Sequence, residues 1–273
     1  MKKAAFIGVG NMGEALARAA CRAAGADQVV LANRTRAKAE ALAAELGCTA
    51  ARNNAEALRE AQYIFLCVKP GGMRMLLGEL DRALDSCQDG ETRVFVSVAA
   101  GVKLKTIREY LKGSGSAVPL LRIMPNTCVA IGQGMTALCA AENVDEVHIR
   151  GVEELLSATG RVDRLPEKQM DQFTAVAGCG PAYVYPYIEA LADGGVAAGL
   201  SRKQALEYAA QTVLGAAAMV LESGRHPGQL KDEVCSPGGS TIAGVAELER
   251  HGLRAAALDA VLAAYRKNQE LGK

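Results

Sequence analysis

Short apolar runs alternate with longer segments of helical period through the first 160 residues of the chain. Ala4 to Val9 and Gln28 to Ala32 are strand-like. Tyr63 to Val68 and Val94 to Val98 are the continuous apolar runs expected of strands buried on both faces. Between them lie an Ala-rich helix from about Met12 and a second from Thr35 to Leu46, which Gly47 closes as a C-terminal cap. Such alternation predicts a parallel sheet with right-handed crossovers. Leu120 to Met124 and the run around Met135 to Leu138 are expected to extend it.

After Arg164 the alternation stops. Lys168 to Val176, Ala182 to Ala198, Arg202 to Leu221, Ile242 to Arg250 and Leu253 to Leu271 all read as helix. Ser201 followed by Gln204 has the spacing of a capping box, and Gly224 with Pro227 is expected to close a helix. The switch predicts two domains, residues 1–164 and 165–273. The segment Ala205 to Leu221 is apolar around most of its circumference and so is expected to be buried on nearly all sides. A domain this small cannot do that alone, which points to a partner chain.

Composition narrows the class. With 273 residues, 50% hydrophobic and 22% charged, the chain is neither disordered nor fibrous. Aromatics make up 4% and Trp is absent, so the core is built from Ala, Val, Leu and Ile. The net charge of +1, with no basic run, excludes nucleic acid as an expected partner. Residues 1–164 carry 21 basic and 18 acidic side chains, residues 165–273 carry 10 and 12, which mildly favours an anionic ligand in the first half. Eight cysteines show no metal-ligand spacing and read as reduced, small hydrophobes of a cytoplasmic protein, and His148, His226 and His251 are scattered, so no metal is expected. Lys2-Lys3 runs directly into Ala4 to Ile7, leaving no room for a signal peptide. The longest uncharged stretch, Ile123 to Ala141, contains Pro125, Asn126 and Gly132 and is no membrane span.

Gly8-Val9-Gly10-Asn11-Met12-Gly13 fits G-x-G-x-x-G directly after an apolar strand and at the start of a helix, where a dinucleotide pyrophosphate meets free N–H groups and the positive end of the helix dipole. This makes the first domain an α/β Rossmann-type doubly wound parallel sheet and the second an all-α dimerisation domain. NAD sites usually place an acid at the end of the second strand. Here the chain reads Asn33-Arg34-Thr35-Arg36, two guanidinium groups, an amide and a hydroxyl suited to a 2′-phosphate, so NADPH is the expected cofactor. Cys67-Val68-Lys69-Pro70 and Val98-Ala99-Ala100 follow the next two strong strands, at the sheet edge where ligands of such folds sit, with small residues on which a nicotinamide can lie. Lys69 suits packing over the dinucleotide as well as it suits a catalytic role.

In the second half, Ser236-Pro237-Gly238-Gly239-Ser240-Thr241 leads into a helix and forms a second anion site: N–H groups of Gly239, Ser240 and Thr241 can face a carboxylate, with the Thr241 hydroxyl added. Together these residues resemble the pyrroline-5-carboxylate reductase family over the whole length. The resemblance rests on Phe6-Ile7-Gly8-x-Gly10-Asn11-Met12, Asn33-Arg34-Thr35, Val68-Lys69-Pro70, Ala99-Ala100-Gly101, Met124-Pro125-Asn126-Thr127, Gly178-x-Gly180-Pro181-Ala182-Tyr183 and the block Lys231 to Thr241. Cys128, where a proline often stands, and Ser240, where Thr or Ala is common, are departures.

The resemblance implies reduction of the cyclic imine 1-pyrroline-5-carboxylate to L-proline by NADPH, with NADH a second option. It implies cofactor contacts at Ile7, Gly8, Val9, Gly10, Asn11 and Met12, at Asn33, Arg34 and Thr35, at Asn54, and at Cys67 to Pro70 and Val98 to Ala100. Gly239, Ser240 and Thr241 would bind the substrate, Thr241 hydrogen-bonding the ring nitrogen as the catalytic residue. Family members look like intertwined helical dimers, often built into rings. Two other readings stay open: a beta-hydroxyacid dehydrogenase, although Phe173 to Leu191 lacks the Lys such enzymes use there, and a non-catalytic NADP-sensing regulator, which need not keep the Ser236 to Thr241 segment.

Overall fold

The computed structural model describes residues 1–87 and 90–271. Eight strands, β1 Lys2–Ile7, β2 Val29–Ala32, β3 Thr49–Ala50, β4 Ala61–Leu66, β5 Val94–Ser97, β6 Leu120–Pro125, β7 Gly134–Ala140 and β8 Gly160–Arg164, form one sheet in the order β3-β2-β1-β4-β5-β6-β7-β8. The strand order reverses at β1, between β2 and β4, which is the switch point where doubly wound sheets open a ligand crevice. Phe6 and Ile7, both buried, point to opposite faces: Phe6 stacks on Phe65 with ring centroids 4.5 Å apart, while Ile7 joins Ile64, Leu66 and Phe95 on the other side. Helices α1 Asn11–Ala24 and α2 Arg36–Leu46 cover the first face and α3 Asn54–Glu60, α4 Met73–Leu84 and α5 Leu104–Tyr110 the second, with α6 Glu146–Leu156 beside α1.

One pair departs from the all-parallel expectation. β7 runs antiparallel to β6. Residues 126–133 are too few for a crossover, which needs about a dozen, and the Asn126 amide instead folds them into a turn, its Oδ1 accepting from Cys128 N at 3.2 Å and Met135 N at 3.4 Å.

The chain divides into two compact units, Met1–Gly178 together with the chain from Tyr265 on, and Cys179–Ala264. Alternation ends with β8 at Arg164, but the first unit continues past it through α7 Met170–Phe173 and a π-helical turn, Thr174–Gly178, where a single helix from Lys168 to Val176 was expected. In that wide turn the Ala177 carbonyl accepts from Asn126 Nδ2 at 3.0 Å.

The second unit is helical. In it α8 Gly180–Ala197 packs on α9 Arg202–Ser223 through Ala192, Ala205 and Ala209, close enough that a Cβ on Gly195 would lie 3.1 Å from that of Ala205. Ser201 caps α9 as its spacing predicts, but its hydroxyl also donates to Gln204 Oε1 at 2.7 Å, so the glutamine carbonyl serves as the acceptor in this box. Pro227 opens a helix instead of merely closing one: α10 Pro227–Val234 begins with it, because the first turn of a helix needs no proline N–H, and His226 Nδ1 accepts from Gly228 N at 3.1 Å. α11 Ser240–Arg250 and α12 Leu253–Leu271 follow. Within one chain α9 is not buried on nearly all sides. Leu206, Tyr208, Leu214 and Met219 are each about half exposed or more, and only Ala205 and Ala209 are covered.

Asp81 on α4 organises the turn after α5. The residue is 9% exposed, and its carboxylate accepts from Lys112 N, Gly113 N and Gly115 N at 2.8–2.9 Å. Burial pushes its pKa up, but the three N–H donors outweigh burial and hold it below the usual carboxylate value. Because the folded pKa is the depressed one, this stabilisation is present above the unfolded value of about 3.9 and lost as pH falls through the folded pKa. Asp81→Asn is expected to cost ~1–3 kcal/mol in urea unfolding at neutral pH, with the difference from the parent shrinking below about pH 4. A difference independent of pH would contradict this role.

Candidate active site

Three loops meet at the carboxyl edge of β1, β4 and β5, joined by backbone bonds that continue the sheet. Cys67 N donates to Ile7 O at 2.9 Å, Val98 N to Leu66 O at 3.3 Å, and Gly8 N to Ala32 O at 2.8 Å. The first loop needs its glycines for different reasons. Gly8 has φ +104° and a Cβ there would lie 2.7 Å from Cys67 O; a Cβ on Gly13 would lie 2.0 Å from Gly8 O. At Gly10 a Cβ would meet no protein atom within 4 Å, so its bareness leaves space for a ligand and not for the fold. Gly10 is also the N-cap of α1 and no side chain caps the helix, so the first-turn N–H groups and the positive dipole end face open space.

All the cofactor-binding positions expected from the sequence line two clefts in the first unit. One, of about 600 Å³, takes Ile7 to Gly10, Asn33 to Thr35, Asn54 and Cys67 to Lys69. The other, of about 470 Å³, takes Gly10 to Met12, Cys67 to Pro70 and Val98 to Ala100. They share Gly10, Cys67, Val68 and Lys69. The arrangement fits an extended dinucleotide, with the bare helix end where the two clefts join.

The charged groups sort themselves. The Asn33 amide is committed to loop shape, Oδ1 accepting from Val9 N at 3.2 Å and Nδ2 donating to Thr35 O at 3.0 Å. Arg36 does not line either cleft: it is one turn from Glu40 and donates to it at 2.7 Å, which removes it from the pair of guanidinium groups expected at this end. Arg34, Thr35 and Lys38 remain. Lys38 is not among the expected contacts; its signal in the sequence is its place one turn beyond Thr35 on the helix that β2 feeds. Burial pushes the Cys67 thiol up to about 12, so this residue offers backbone and a neutral thiol, not a nucleophile.

A third, smaller cavity of about 210 Å³ lies beside Pro70, Ala100 and Gly101 and is lined by Arg122, Asp171, Thr174 and Asn268. Arg122 interrupts the apolar run of β6 and is almost wholly buried, donating to Glu167 Oε1 at 3.1 Å; the same oxygen accepts from Leu104 N at 2.7 Å. A lone arginine in a strand pattern was the signal for it.

Gly239, Ser240 and Thr241 lie in the second unit. Gly238 takes φ +70°, Gly239 N donates to Ser236 O at 3.0 Å, and Gly239 is the N-cap of α11, again with no side-chain cap. Among the described residues, no group of His, Cys, Asp and Glu is placed to hold a metal ion, and no helix is long and apolar enough to cross a membrane.

Comparison with known proteins places these features. Residues 167–271 match the family described as pyrroline-5-carboxylate reductase dimerisation, and residues 3–101 match that described as NADP oxidoreductase, coenzyme F420-dependent. The pyrroline-5-carboxylate reductase of Methanosarcina acetivorans is 38% identical, over 100% of this chain and 98% of its own length. The chain belongs to the pyrroline-5-carboxylate reductase family. Two solved reductases superpose over their full length: that of Coxiella burnetii with a TM-score of 0.90 at 31% identity, covering 100% of this chain and 99% of its own, and that of Plasmodium falciparum, with NADP bound, with a TM-score of 0.86 at 31% identity, covering 100% and 98%. The matched dimerisation family also makes the reductase a homo-oligomer.

Gly10→Ala separates ligand space from fold. The reductase variant is expected to stay within ~0.5 kcal/mol of the parent in urea unfolding, since Gly and Ala differ little at an N-cap with open surroundings, while its affinity for NADP+ falls at least about tenfold. Calorimetric titration with NADP+ measures the second quantity. Unchanged affinity would remove the loop from the site.

Proposed function

We propose that this chain reduces 1-pyrroline-5-carboxylate to L-proline with NADPH, the last step of proline biosynthesis, in the cytoplasm. One observation carries the reading: each unit holds a helix, α1 and α11, whose N-terminus follows a glycine N-cap and is left without a side-chain cap. α4 also follows a glycine with no side-chain cap, but a 3-10 turn, Pro70–Gly72, runs directly into it; the ends of α1 and α11 give one cradle for a diphosphate and one for a carboxylate. The NADP of the Plasmodium falciparum structure and the names of the full-length relatives support the assignment of the two ligands.

When bound, NADPH supplies the hydride. The chain's own groups position the reactants. Val98, Ala99 and Ala100 present small side chains on which a flat ring can rest. Arg34 and Thr35, with Lys38, hold the 2′-phosphate by charge-assisted hydrogen bonds, and no acid follows β2 to claim a free 2′-hydroxyl; NADH is the weaker alternative. The N–H groups of Gly239, Ser240 and Thr241 bind the substrate carboxylate, and the Thr241 hydroxyl hydrogen-bonds the ring nitrogen, favouring the electrophilic iminium. Catalysis is mainly positioning. The assembly is a homodimer that can be built into a ring of dimers, with apolar helical faces such as that of α9 between subunits.

Oxidation of NADPH on addition of 1-pyrroline-5-carboxylate, against 3-hydroxyisobutyrate and no substrate, tests the activity. Turnover of the imine alone is expected; α8 carries no Lys for hydroxyacid chemistry. Thr241→Ala should lower kcat/KM by about one to two orders of magnitude, the loss of one transition-state hydrogen bond of ~1.5–3 kcal/mol. Wild-type rates in that variant would refute the role. Arg34→Asp is expected to cut the NADPH to NADH ratio of kcat/KM at least about tenfold, and an unchanged ratio would overturn the assignment of the 2′-phosphate.

A further inference from the structure

Among the residues lining the larger cleft, Glu79 is the one acid. A carboxylate facing a site built for phosphates opposes binding unless it gains a specific contact. Its setting defines that contact. Glu79 stands on α4 four residues after Met75, so both share one face of the helix, and Met75, though apolar, is 73% exposed along the cleft wall. Asn54 donates through Nδ2 to Glu79 Oε2 at 2.9 Å, fixing the carboxylate; among the described residues Oε1 takes no hydrogen bond. Arg34 and Lys38, which follow β2, line the same cleft.

An exposed thioether and a guanidinium lining one cleft are both groups that pack on the faces of an aromatic base. The fixed carboxylate then requires a donor on the edge of that base. The ribose is accounted for by the groups after β2, which leaves the exocyclic amino group of adenine.

We infer that Glu79, held by Asn54, reads the base of the cofactor, accepting a hydrogen bond from the adenine 6-amino group and rejecting a base with a carbonyl at that position. This rests on the dinucleotide reading above and adds base specificity to it.

Calorimetric titration of the full-length protein with NADP+, NAD+ and nicotinamide hypoxanthine dinucleotide phosphate tests it without turnover. The parent should bind NADP+ at least about tenfold more tightly than the hypoxanthine analogue, because a carbonyl against a carboxylate leaves two acceptors unpaired. In Glu79→Gln, whose amide can donate to that carbonyl, the preference should fall to within about threefold. Glu79→Ala should also lose it while keeping the NADP+ to NAD+ ratio of the parent. NADP+ binding with the adenine preference intact in both variants would overturn the role of Glu79 and leave the dinucleotide site standing. Absence of NADP+ binding by the parent would overturn both.

Discussion

Backbone packed against backbone at the carboxyl edge of β1 is the constraint on which the rest of the molecule depends. Gly8 sits over the Cys67 carbonyl and Gly13 sits over Gly8, each closer than a side chain would permit. This stacking turns the chain sharply out of the sheet, brings the first helix to the edge N-terminus first, and seats the loops after β4 and β5 alongside. A methyl at Gly13 would have to displace the Gly8 carbonyl it would overlap, which would misalign α1 and the crevice together. The abundance of alanine follows from the same requirement, since small residues let helices and loops approach the sheet closely enough to leave a cleft lined by backbone N–H groups.

Anion binding is therefore a property of local geometry and not of net charge. The first half carries a slight excess of cations, yet one of them, Arg36, is neutralised by Glu40, and the Asn33 amide spends its hydrogen bonds on the loops. The second half has an excess of acids and nonetheless contains an uncapped helix end behind Gly239. Dipoles and free N–H groups act over a few ångströms, where they outweigh a distant net charge screened by solvent.

Much of this was legible in the chain itself, because the signals are local. β1, β2, β4 and β5 and the glycine loop follow from apolar runs and their punctuation, and the positions expected to hold the cofactor all line the two clefts of the first unit. The losses came where a tertiary contact overrides a local rule. β7 turns back because Asn126 closes a short connection, and Lys38, Glu79 and Arg122 acquire meaning only when distant segments meet; Pro227, by contrast, opens a helix by a local rule, with His226 as its cap. α9, apolar around most of its circumference, leaves those side chains exposed within one chain, which agrees with the partner chain its pattern calls for.

The two proposed cradles, one for the cofactor and one for the substrate carboxylate, imply direct hydride delivery to the cyclic imine. Mass spectrometry of product formed with NADPH carrying deuterium at both C4 positions measures this directly. Proline with one deuterium, at C5, is expected from every turnover of 1-pyrroline-5-carboxylate. Proline without label, or label released to solvent with no proline formed, would contradict it.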